Sequence, residues 1–233
     1  MTGAPITTIV SDFVGVLSTP LWPAFAAVQE HFGIPSDALG VAMAGAGETL
    51  GVSLLEELEC GRMAEADFLA TLGARLEADL GRPVAMHEFP DRYWDALHPN
   101  AELIAHLADL RAAGYRMGLL TNNVREWEPR WRPMLPVDEL FDAVVDSAFV
   151  GVRKPDSAIY RLTCERLGVP PGECVLLDDF ERNCDAARAF GMEAVRFVDT
   201  DQTIAELDAL LATRGARQAS PAAARGSRGV PWA

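Results

Sequence analysis

Apolar residues along this chain follow two alternating periods. Short, almost unbroken apolar runs stand at 6–10, interrupted only by threonines, and at 115–120, 143–145, 174–177 and 194–198. Runs of that length bounded by turn residues predict five buried strands. Between them the apolar spacing lengthens to three and four. Asn100 can cap a helix through Leu103, Leu107 and Leu110 to Ala113, with Gly114 as its stop. A second helix opens with Pro155 near its first turn and runs through Ile159, Leu162 and Leu167 to Gly168. Two more are predicted over 183–190, stopped by Gly191, and over 203–211. Strands apolar along their whole length need cover on both faces, so strand alternating with helix predicts an α/β fold, a doubly wound parallel sheet.

One stretch departs from the alternation. Thr19-Pro20 and Pro23 break the chain after the first strand, and from Ala24 to Leu97 only helical spacing is found. Phe25, Val28 and Phe32 carry it, as do Phe68, Leu72 and Leu76, with Gly33, Gly61 and Gly81 as stops. The expected organisation is therefore a core of 1–20 and 98–213 with a helical cap inserted at 21–97, placed to form a lid over the sheet. Residues 214–233, rich in Ala, Gly, Ser and Pro, hold four arginines and no acidic residue. They lack the apolar content to offset ordering entropy and are expected to be disordered.

Composition narrows the partners. With 233 residues and a net charge of −14, the chain can bury a full core but is ill suited to nucleic acid or an anionic membrane, which recruit Lys and Arg. Cys60, Cys164, Cys174 and Cys184 show no metal or redox spacing and read as reduced thiols. No basic leader precedes Pro5, and no run approaches the ~18 apolar residues of a membrane span, so a cytoplasmic protein is expected.

The strand ends carry the chemistry. Asp12 follows the first strand, Thr121-Asn122-Asn123 the second and Asp178-Asp179 the fourth, while Lys154 precedes a helix. An Asp closing a strand can serve only as a turn former. Together, though, a carboxylate attacker, hydroxyl and N–H donors, a cation and paired hard oxygen ligands suit phosphoryl transfer. Converging carboxylates repel one another unless a cation intervenes, and Mg²⁺ bridges carboxylate to phosphate.

The segments SDFVGVLS, LLTNN, GVRKPDSAIY and VLLDDFERNCDAARAFGM, in this order, resemble the four motifs of the haloacid dehalogenase-like hydrolase superfamily. The similarity extends over residues 5 to 210 and is greatest to the branch holding the phosphatase domain of soluble epoxide hydrolases, with a helical cap after the first motif. It implies a Rossmann-like core and an aspartyl-phosphate formed on Asp12. Thr121 and the N–H of Asn122 would hold phosphate oxygens, and Lys154 would balance charge. Mg²⁺ would be bound by Asp12, the Val14 carbonyl and Asp179, with Asp178 assisting, while Asn183 braces the loop. Removing the Lys154 ammonium is expected to stop turnover and leave the fold intact.

Family phosphatases usually carry a general acid–base aspartate two residues after the nucleophile; Val14 stands there instead. Losing such a group forfeits about 10²–10⁴ in rate. Either the substrate has a good leaving group, or a cap residue or water supplies the proton, or the chain is a weakly catalytic binding homologue. A dehalogenase using Asp12 on a 2-haloacid without metal is the other chemical alternative. Asn123 and Trp22, the latter at the cap entry, are candidate substrate contacts. Trp127 and Trp131, beside prolines and arginines, read as packing, and the four histidines as solvated or core groups. The expected partner is a small phosphorylated metabolite, bound by a monomer or homodimer.

Overall fold

All five apolar runs enter one parallel sheet: β1 (Thr8–Ser11), β2 (Arg116–Thr121), β3 (Ala143–Asp146), β4 (Cys174–Asp178) and β5 (Glu193–Arg196), in the order β3-β2-β1-β4-β5. The structure is a computed structural model and describes residues 4–214. Of the segment expected to be disordered, 215–233 lie outside the described residues. Central β1 pairs on both sides, Thr8 with Arg116 and Cys174, Ser11 with Leu119 and Leu177.

Alternate residues on each strand face opposite layers. Val10, Leu120 and Leu176 pack against Ile159 and Tyr160 of the helix Ser157–Leu167 and Ala187 of the helix Glu181–Phe190. Ile9, Leu119 and Leu177 belong to a larger cluster with Leu103 and Leu107 of the helix Ala101–Ala112 and Leu207 of the helix Thr200–Arg214. Burial on both faces explains the apolar middles of β1, β2 and β4, while the edge strand β5 carries Glu193 and the exposed Arg196 at its ends.

The larger cluster continues through Phe13, Trp94 and Trp131 into the inserted segment. There the helices are Leu21–Phe32, Ala38–Leu50, Leu54–Glu59, Glu65–Leu80 and Phe89–Asp95. Gly33 and Gly81 end the first and fourth of these in the left-handed conformation open to glycine. The two passages into the insert zip together: Ser18 bridges Pro99 antiparallel, Thr19 N–H donates to His98 O at 2.8 Å, and Asn100 N–H to Leu17 O at 2.9 Å. No helix among the described residues is long and apolar enough to cross a membrane.

Several boundaries differ from those the sequence predicts. β1 starts at Thr8, and the Ile6 N–H is taken by the Arg214 carbonyl at 2.6 Å. β5 ends at Arg196 and leaves Val198 on the surface. Pro155 lies before its helix, whose cap is Asp156, accepting from Ala158 N–H at 2.8 Å. Arg214, assigned to the tail, closes the last helix and donates to the Ala4 carbonyl at 2.8 Å, with Glu193 as its ion-pair partner.

Asn100 does cap its helix, accepting from Leu103 N–H at 3.3 Å, and its Nδ2 ties Val16 O at 3.0 Å and Thr200 Oγ1 at 2.9 Å. Asn100→Ala is therefore expected to cost about 1–2 kcal/mol, measured by urea unfolding.

Candidate active site

The chain passes from β1 to β2 and β3 on one side of the sheet and fills β4 and β5 on the other, so the winding reverses at β1. Open parallel sheets hold ligands at the carboxyl ends of the strands flanking such a point. Asp12 sits there directly after β1, its N–H donated to Leu177 O at 2.9 Å. Thr121 ends β2, and Asp178 ends β4 with Asp179 beside it.

Lys154 draws these ends together. Its buried Nζ donates to Asp178 Oδ2 at 2.7 Å and Leu120 O at 2.9 Å and forms an ion pair with Asp12 Oδ1 at 2.8 Å. Burial works against the ammonium, but the two carboxylates outweigh it and hold Lys154 charged, above the usual lysine range. Asp12 Oδ1 also accepts the Phe13 N–H at 2.7 Å, while Oδ2 takes no hydrogen bond from the described residues. Burial lifts the Asp12 carboxyl well above its ordinary pKa, with Lys154 opposing and Asp178 and Asp179 reinforcing the rise.

The two aspartates after β4 divide their work. Asp178, expected to assist at a metal, has both oxygens engaged: Oδ2 by Lys154, Oδ1 by Phe180 N–H at 3.0 Å and Asn183 Nδ2 at 2.8 Å. Asp179 Oδ1 is buried without a partner, and burial, then the Asp178 charge, pushes its pKa to about 6. Gly15 faces it at φ +88°, where a Cβ would lie 2.6 Å from Asp179 Oδ2. Only glycine lets the loop after β1 pass that close. Oxygens of Asp12, Asp178 and Asp179 lie within 4.8 Å of one another, and one lysine faces three carboxylates. A hard divalent cation fits that surplus and the orphaned Asp179 oxygen.

The other expected contacts fare unequally. Thr121 is fully buried at the strand end. Asn122 spends its carboxamide on the Lys154 backbone, Oδ1 accepting its N–H at 2.8 Å and Nδ2 donating to its carbonyl at 3.0 Å. Asn123 takes Val124 N–H on Oδ1 at 2.9 Å and leaves a buried, unpaired Nδ2 at the cavity. Trp22 is 68% exposed and leaves the wall to its neighbours Leu21 and Phe25. Trp131 is core, packed on Phe13 at 5.8 Å between ring centres, whereas Trp127 both packs on Tyr93 and lines the cavity. No histidine lines it.

The cavity, about 140 Å³, opens onto Asp12, Lys154 and Asn123 and is otherwise walled mainly by apolar side chains such as Val14, Phe25, Leu58, Leu72 and Trp127. Three charged lining groups are not among the candidates read from the sequence: Glu59, Arg153 and Arg182. Arg153 Nη2 stands 2.9 Å from Glu59 Oε2, an ion pair joining the insert to the residue before Lys154. Adjacency to Lys154 was the available sign for Arg153; Glu59 gave none, being one acid among several in a short helix.

The fold and site are those of an α/β protein with an acid cluster and a paired lysine at the switch point of a parallel sheet. Residues 6–191 match the haloacid dehalogenase-like hydrolase family, and the chain belongs to that family. It is 27% identical over 218 residues to the bifunctional epoxide hydrolase 2 of Sus scrofa, covering 85% of this chain and 38% of that protein. It is 30% identical over 122 residues to the sesquiterpene phosphatase astK of Aspergillus oryzae, covering 49% and 59%. The chain thus spans less than two thirds of either relative. A HAD-like family hydrolase from Porphyromonas gingivalis superposes with a TM-score of 0.67 at 25% identity, covering 89% of this chain and 98% of that one.

Two tests follow from the charges. Lys154→Ala would leave Asp12 and Asp178 buried without a counter-ion, so contrary to the expectation of an intact fold it should lose about 3–5 kcal/mol in urea unfolding. Asp146, which ends β3, is buried with Oδ2 unpartnered, and burial pushes its pKa to about 7. A raised carboxyl pKa penalises the folded state as pH climbs from 3.8 through about 7. Asp146→Asn, which keeps the acceptor for Ala148 N–H, should change stability little at pH 4 and raise it at pH 8 by up to roughly 4 kcal/mol.

Proposed function

We propose that this hydrolase is a Mg²⁺-dependent phosphatase that cleaves a small phosphorylated metabolite through an aspartyl-phosphate on Asp12. The observation that carries the reading is the free Oδ2 of Asp12 beside an ammonium fixed on its Oδ1. Asp12 Oδ2 attacks phosphorus in line with the departing oxygen; water then attacks the same phosphorus and frees Asp12. Lys154 cannot give up a proton, so it serves as a fixed positive charge beside nucleophile and phosphate. The Thr121 hydroxyl, the Asn122 backbone N–H and the spare Asn123 Nδ2 would hold phosphate oxygens. Asp12, the Val14 carbonyl and Asp179 would hold the Mg²⁺, which when bound neutralises charge between carboxylates and phosphate. Asp178 keeps Lys154 in place.

Residues 1–20 and 98–213 form the reacting body in this reading, and 21–97 a cap whose apolar side chains receive the alcohol portion and exclude water. Similarity to a protein named as a sesquiterpene phosphatase supports the phosphatase assignment.

Inorganic phosphate should be released from p-nitrophenyl phosphate with Mg²⁺, fall to background with EDTA, and drop at least about 10³-fold in Asp12→Asn. Chloride released from 2-chloropropionate in EDTA, with no phosphatase activity, would instead mark a metal-independent dehalogenase.

A further inference from the structure

We propose that Glu59, at the end of the insert helix Leu54–Glu59, supplies the proton chemistry that Val14 cannot. The inference rests on the phosphatase reading and adds a catalytic residue to it. An alkoxide leaving from phosphorus needs a proton, and the attacking water must lose one. The titratable groups on the cavity wall are few: Asp12, Glu59, Tyr93, Arg153, Lys154 and Arg182. Asp12 is the attacker, Lys154 is held charged by its two carboxylates, and guanidinium groups do not deprotonate. Tyr93 is 3% exposed, and burial lifts its hydroxyl above the usual range. Glu59 remains.

Its surroundings suit the role. The side chain is 15% exposed, and Oε2 is buried without a hydrogen bond, with Arg153 Nη2 meeting it at 2.9 Å as an ion pair. Burial lifts the carboxyl pKa; Arg153, Lys154 and Arg182 pull it down and Glu56 pushes it up, with a net rise. Asp146 and Tyr93 also sense its charge. The group is thus shielded, open to the same cavity as Asp12 and shifted toward the range where a carboxyl can both give and take a proton.

The steps balance. As Asp12 Oδ2 bonds to phosphorus and the ester P–O bond breaks, Glu59 gives its proton to the leaving oxygen, and the alcohol departs. The Glu59 carboxylate then takes a proton from water as that oxygen bonds to phosphorus and the P–O bond to Asp12 breaks. Phosphate leaves, and Glu59 is protonated again.

The test compares hexyl phosphate, a poor leaving group, with p-nitrophenyl phosphate, a good one, using the full chain with Mg²⁺. In Glu59→Gln, kcat/KM for hexyl phosphate should fall about 10²-fold or more and that for p-nitrophenyl phosphate stay within about threefold, because only the first needs the acid. Rapid mixing of the variant with p-nitrophenyl phosphate should give a stoichiometric burst of nitrophenolate followed by a slow phase, as water attack loses its base. Arg153→Ala breaks the same ion pair but keeps the carboxyl, and should leave the ratio between the two substrates unchanged. Equal losses on both substrates in Glu59→Gln, full retention on hexyl phosphate, or the same ratio shift in Arg153→Ala would overturn the proposal. A native protein inactive toward both esters would overturn the phosphatase reading, and this proposal with it.

Discussion

A single buried ammonium governs this site. Lys154 is 1% exposed, and an unpaired cation there would carry a desolvation penalty of several kcal/mol. Its three N–H groups therefore demand three acceptors, and these come from the loop after β1, from Leu120 in β2 and from the end of β4. The demand fixes where three parts of the chain end relative to one another. Asn122, gripping the Lys154 backbone at both its N–H and its carbonyl, sets the height at which the side chain enters. The same bonds that satisfy the lysine hold Asp12 by one oxygen and leave the other free.

Charge bookkeeping around that lysine explains the rest of the arrangement. One ammonium against Asp12, Asp178 and Asp179 leaves a formal surplus of two negative charges when all three are ionised. Burial in the crevice, reinforced by the neighbouring carboxylates, makes both Asp12 and Asp179 hold protons more tightly. An arriving phosphate would add to the surplus. A divalent cation reverses the balance, and Gly15, leaving room where a side chain would strike Asp179, keeps that carboxylate within reach of the loop after β1.

Much of this was legible in the sequence because the strands are short and apolar and the reacting groups follow them directly. Asp12, Thr121 and Asp178 could be placed from the ends of their runs, since ligands in an open parallel sheet sit at the carboxyl ends of the strands. Trp22 could not be placed: a residue at a helix entry points inward or outward according to how the helix rolls, and here Leu21 and Phe25 take the inward positions. Asn122 and Asp178 were legible as residues of the site but not as braces, because their partners, the Lys154 backbone and Asn183, come from distant segments. Glu59 was hidden for a stronger reason. The pairing of Ser18 with Pro99 and the packing of Phe13, Trp94 and Trp131 decide where the insert rests, and those are tertiary choices without a periodic signature.

Val14 then ceases to be an isolated departure from the pattern of related sequences. A carboxylate at that position would add a fourth negative charge to a crevice that already holds three against one lysine, whereas valine packs against the apolar cluster. In the proposed mechanism, an acid at Glu59 would stand apart from the residues that would hold the cation, paired with its own arginine. Proton transfer then depends on the insert being seated, because Glu59 belongs to the insert while Asp12 belongs to the sheet. In the proposed reaction, chemistry would be completed only when the apolar wall that would shield the phosphate from water is also in place. The ion pair between Glu59 and Arg153, one residue from Lys154, is the direct physical link between those two conditions.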